Sequence, residues 1–78
     1  MKRADDTLTA LGKIKDLYSI KNDCTTVEQI LQNLHVAEKE TEYLCINLMI
    51  DKYKHNKNFR IDRASFLSCR QEVKDFLE

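Results

Sequence analysis

Apolar residues recur at helical spacing in four separate stretches of this chain. Leu8, Leu11, Ile14, Leu17 and Tyr18 share one arc, which predicts a first helix over about residues 5–18. Asp5 and Asp6 suit its start, where carboxylates cap free N–H groups and favour the helix dipole. Gly12 falls off the arc and costs a little helix stability. Val27, Ile30, Leu31 and Leu34 follow the i, i+3, i+4, i+7 rule and predict a short second helix over about residues 26–35. The Thr25-Thr26-Val27-Glu28 sequence ahead of it has the form of a capping box.

The third stretch, Tyr43 to Ile50, is apolar almost all round. It reads as the central helix, over about residues 39–54, with a second buried face. Its length and dense charged flanks favour a helix over a buried strand. Glu38, Glu40 and Glu42 read as a solvated helix start. A single rod from Thr26 to Lys54 is the alternative for the middle of the chain. The stripe set by Val27 and Leu34 weakens through Glu38 and Thr41, which favours a break near residues 35–37. Phe66, Cys69, Val73, Phe76 and Leu77 line one face of a fourth helix over about residues 63–77, with Asp62 as its N-cap.

These stretches imply an all-α fold: a compact four-helix domain of two helix-loop-helix units. With one Gly, no Pro and 78 residues, the chain has few backbone breakers and room for one core. A shift of 36 residues brings the halves into rough register, setting Leu8 on Leu44, Ile14 on Ile50 and Lys21-Asn22 on Lys57-Asn58. Any two amphipathic hairpins give part of that match.

Charge changes the picture only locally. Lys plus Arg and Asp plus Glu balance at 13 each, so the chain lacks a broad positive field for nucleic acid. A local basic patch is available at Lys52, Lys54, Lys57, Arg60 and Arg63, for which a solvated face is the simpler reading. Cys24, Cys45 and Cys69 are odd in number and widely spaced, which fits free thiols and neither a disulfide framework nor a Cys-x-x-Cys zinc site. No apolar run approaches membrane-spanning length, and MKRADD has no apolar signal region. The expectation is a soluble intracellular chain, cytoplasmic or nuclear, with no membrane partner.

The order of residues in His55–Leu67 resembles the second half of an EF-hand loop running into its exit helix. On that resemblance Tyr43–Tyr53 is the entering helix, Lys54–Ser65 the loop and Arg63–Leu77 the exiting helix. Ile61 then stands where the family forms a short β-bridge with its partner loop. The first half fits less fully, with a loop over about residues 19–30, Cys24 where Gly is expected and Thr26 near the pairing position. The whole is similar to one lobe of a calmodulin-like or myosin-light-chain-like protein. The ion chemistry is missing. Lys54, Phe59 and Ser65 stand where a calcium loop needs acid, Gly and acid, and Asp62 is the sole carboxylate of the loop. A second resemblance, over Ala10–Lys54, is to the small helical domains of transcription elongation factors that grip disordered peptides. Gln32-Asn33-Leu34-His35 stands where those domains often carry a basic cluster, and the fourth helix has no counterpart in that scheme.

No catalytic constellation, metal set or cofactor motif emerges. There is no Gly-rich phosphate loop, and His35 and His55 have no partner at metal-ligand spacing. The expected function is therefore non-catalytic: a regulatory or adaptor module binding an amphipathic helix or peptide of a protein partner, or a second copy of itself, in an apolar groove. Tyr43, Leu44, Ile46, Met49, Ile50 and Tyr53 are its expected contact residues, because Tyr43–Ile50 carries more apolar surface than one helix face can bury in so small a domain. Asn47 within that run is either a satisfied core group or an interface group. The alternative is a small transcription-associated helical regulator, linked to a peptide or a nucleic acid through the basic patch.

Overall fold

Four helices form in the order expected: α1 (Ala4–Leu17), α2 (Val27–Gln32), α3 (Lys39–His55) and α4 (Arg63–Leu77). The computed structural model describes residues 4–78, with the side chains of Ala4 and Asp5 outside that description. The expected role of Asp5 at the start of α1 therefore lies outside the described residues.

Each helix end has a chemical reason. α1 closes in a Schellman motif: Ile20 N–H donates to Lys15 O at 2.8 Å and Ser19 N–H to Asp16 O at 3.1 Å. Ser19 carries the left-handed conformation this motif requires, with φ 59°. Ile20, the residue after it, packs against the core. α2 begins one residue later than the sequence pattern suggests. Its capping box joins Thr26 to Gln29 rather than Thr25 to Glu28. The Gln29 side chain also accepts from Thr25 N–H, at 2.6 Å.

α2 also stops at Gln32, three residues short of the expected end, because side chains take over its last carbonyls. Asn33 Nδ2 donates to Gln29 O at 2.8 Å, and Lys39 Nζ donates to Leu31 O at 3.0 Å and Leu34 O at 3.2 Å. The continuous rod from Thr26 to Lys54 is thus replaced by a break over residues 33–38. Asp62 caps α4 as expected, accepting from Ser65 N–H at 2.9 Å.

α3 is the hub. α1, α2 and α4 each pack on it, and α1 and α2 pack on α3 more than on each other. The 36-residue register survives in the starts of α2 and α4, at Val27 and Arg63. It does not survive in packing, because α3 and α4 form the closest helix pair and α1 and α2 do not. The core runs through Leu11 and Ile14 of α1, Ile30 of α2, Cys45, Ile46 and Met49 of α3, and Cys69 and Val73 of α4. The molecule measures 39 × 26 × 18 Å, and its thin dimension is that of two helix layers. No strand occurs among the described residues, so the β-bridge implied at Ile61 is not formed.

Candidate interaction site

The apolar run of α3 divides between two destinations. Ile46 and Met49 are 0% exposed and Ile50 is 7% exposed, all three held in the domain's own core. They were expected to touch a partner, and the packing of three helices around α3 removes them from reach. Tyr53 is half-buried against the same core. Tyr43 is 39% exposed but stands outside the groove described next. Asn47 is half-buried, and its Nδ2 donates to Tyr43 O of its own helix at 2.9 Å.

Leu44 lines a surface groove. With Leu48 it forms the α3 side of an apolar trough of about 320 Å³, and Val73 and Phe76 form the α4 side. Glu72 stands on the rim, paired with Lys52 at 3.3 Å. Val73 is buried while Phe76 is 81% exposed. The sequence pattern placed Phe76 inside, on the face shared with Cys69 and Val73. It stays outside because α4 packs mainly on α3, and among the described residues no further helix covers its outer side. A sequence signal for the groove existed in the separate stripes Leu44–Leu48 and Val73–Phe76. Which stripes lie uncovered is a property of tertiary packing.

A buried polar cluster lies elsewhere on α3 and was not anticipated. Glu42, expected on a solvated helix start, is 3% exposed. Tyr18 Oη donates to Glu42 Oε1 at 2.6 Å, and the guanidinium of Arg70 holds Oε2. Arg70 also reaches Glu38 at 3.6 Å and lies 5.9 Å from the centre of the Phe66 ring. The Tyr18 and Phe66 rings meet edge to face at 5.5 Å. Two acids, one base and two aromatics thus tie α1, α3 and α4 together. Every charged group in the cluster has a partner, which is the condition for burying it. The 24-residue separation of Tyr18 from Glu42 leaves no local signature of this contact in the sequence.

The three cysteines are free and buried. Burial, with Cys69 nearby, pushes the Cys45 thiol up to about 12. Burial raises Cys69 as well, and raises Tyr18 above the ordinary tyrosine range with help from Cys45. These groups are held neutral and deep, the opposite of an activated nucleophile. Among the described residues no three His, Cys, Asp or Glu side chains cluster to hold an ion, and no helix is long and apolar enough to cross a membrane.

Of the basic patch, Lys52 is spent on Glu72 beside the groove. Lys54, Lys57, Arg60 and Arg63 are exposed around the α3–α4 connection, where Lys57 pairs with Asp6 at 3.0 Å. Comparison with family models, with curated proteins and with solved structures finds no match for this chain.

Proposed function

We propose that this chain is a non-catalytic protein-binding module that takes an amphipathic helix of a partner in the groove between α3 and α4. One observation carries the reading: Phe76 stands 81% exposed at an apolar trough whose other apolar lining residues, Leu44, Leu48 and Val73, pack against the core beneath them. Water-exposed aromatic surface on so small a domain costs solubility, and a partner's apolar face covers it. A rigid two-helix trough also suits a helical ligand, whose residues at i, i+3 and i+4 form a matching ridge. The frame is read as an EF-hand-like unit without its ion. α3 ends at His55 and α4 starts at Arg63, in keeping with a loop over Lys54–Ser65 whose one carboxylate serves as the α4 cap. Three buried, unpaired thiols suit a reducing intracellular compartment.

An NMR titration with a synthetic Leu/Lys amphipathic helical peptide tests the reading. Saturable amide shifts centred on Leu44, Leu48, Val73 and Phe76, abolished by Phe76→Asp, support it. Shifts spread evenly over the surface, or unchanged by Phe76→Asp, overturn it.

A further inference from the structure

The groove leaves the opposite feature of the α3–α4 hairpin, its connecting loop, without a role. Lys54, Lys57, Arg60 and Arg63 crowd that tip within ten residues of chain, and all four are exposed. Among the described residues, Lys54, Arg60 and Arg63 have no ion-pair partner. The loop's carboxylate, Asp62, is exposed, accepts from Ser65 N–H and offsets part of the charge of Arg60. At the far end of the same hairpin the acids Glu38, Glu40, Asp75 and Glu78 outnumber the bases Lys39 and Lys74, so the excess of positive charge lies at the loop.

Helix energetics account for only part of that excess. Cations near the C-terminus of α3 favour its dipole, and Lys54 and His55 fall there. At the start of α4, Arg63 occupies the first helical position directly after the capping carboxylate of Asp62, where a cation is not favoured by the dipole. The loop is also held in shape. Phe59 and Ile61 pack against the core, Phe59 N–H donates to Asn56 O at 2.9 Å, and Asn58 N–H donates to Asn56 Oδ1 at 3.0 Å. With Phe59 and Ile61 turned inward, what the tip offers to solvent is charged and polar: Lys54, His55, Asn56, Lys57, Asn58, Arg60, Asp62 and Arg63, with the cations in excess.

That surface composition discriminates between partners. Protein interfaces are built on an apolar core with aromatic anchors, and membrane-surface contacts need apolar groups to insert. Nucleic-acid interfaces are polar and strongly positive, and much of their hydrogen bonding is to phosphate. We propose that the α3–α4 loop is a phosphate-backbone contact surface for nucleic acid, distinct from the apolar groove.

Fluorescence anisotropy of a labelled 20-base-pair duplex, titrated with the full chain from 20 to 200 mM KCl, tests this. Three to four phosphate contacts give a log–log salt slope of about −3. The triple variant Lys54→Gln, Arg60→Gln, Arg63→Gln, with its helicity checked by circular dichroism, is expected to bind at least about tenfold more weakly with a slope near −1. Phe76→Asp is expected to leave duplex binding unchanged, which separates this surface from the groove. Absence of saturable binding at 20 mM KCl overturns the proposal, as does a triple variant that folds and binds like the parent. Equal competition by polyglutamate of matched charge also overturns it, in favour of an acidic protein partner.

Discussion

The Tyr18 hydroxyl donates to the buried Glu42 carboxylate at 2.6 Å, and through it the end of α1 is bonded to the first turn of α3. Arg70 of α4 completes the pairing from the other side. This arrangement lets a domain only 18 Å thick bury a carboxylate, and it makes the three groups interdependent.

Removing one partner should therefore cost more than removing the charge altogether. Arg70→Met leaves Glu42 buried without its cation and is expected to destabilise by about 3–5 kcal/mol. That loss is comparable with the whole stability of a small domain. Tyr18→Phe, which removes one hydrogen bond to a charged acceptor, should cost about 1.5–3 kcal/mol. The double variant Glu42→Met, Arg70→Met is expected to recover most of the first loss. Urea unfolding of these proteins, with Glu42→Met alone to close the cycle, measures these differences. Additive losses in the double variant would show that the two residues do not act as a pair.

Alkali should loosen the fold. Cys45 is held protonated to about 12, above the ordinary thiol value of 9.0, and Tyr18 is raised above its ordinary 10.0. In the unfolded chain both groups ionise near their ordinary values, so the unfolded state releases protons first. The stability they contribute is complete below about pH 9 and is lost as pH rises from there toward 12. Urea midpoints measured at pH 7, 9 and 10.5 should fall in that order, and less steeply in Cys45→Ala. A midpoint that stays flat to pH 10.5 would contradict the burial of these groups.

The acid side has a separate origin. Hydrogen bonding from Ser65 N–H holds the Asp62 carboxyl below its ordinary value of 3.8. Its folded-state value is depressed, so the contribution is present above the unfolded value and is lost as pH falls through the depressed one. Asp62→Asn keeps a capping oxygen without the charge. Its stability loss relative to the parent should be seen at pH 6 and shrink below pH 3. A difference that persists unchanged into acid would mean that charge is not what the cap contributes.

Two backbone positions can be improved. Ser19 sits at φ 59°, where glycine has no side-chain penalty, and Ser19→Gly should stabilise by about 1 kcal/mol. A methyl group added at Gly12 meets nothing within 4 Å, so Gly12→Ala should add about 0.5–1 kcal/mol through helix propensity alone. Thermal unfolding of each variant measures the gain. A loss at Ser19→Gly would indicate that the Schellman turn is not populated in solution.

The hydrophobic pattern carried the helices because their periodicity is local. α4 begins at Arg63 and ends at Leu77 as the apolar stripe and Asp62 imply, and α3 runs one residue beyond its expected end. The end of α2 escaped because Asn33 and Lys39 cap it by side-chain bonds that no stripe encodes. The site was half legible. Leu44 lies on the groove, but Ile46, Met49 and Ile50 are core and Phe76 is open, since the sequence shows that α3 has two apolar faces and not which helices cover them. Glu42 was misplaced for the same reason: its burial depends on Tyr18 and Arg70 arriving from two other helices.

The most direct test of the groove compares two acidic substitutions on neighbouring elements. Phe76→Asp removes an exposed ring and Met49→Glu forces charge into a site that is 0% exposed. Circular dichroism and peptide titration should show that Phe76→Asp keeps native helicity and loses the amphipathic peptide, while Met49→Glu unfolds. A folded Phe76→Asp that binds the peptide as the parent does would contradict the proposed groove.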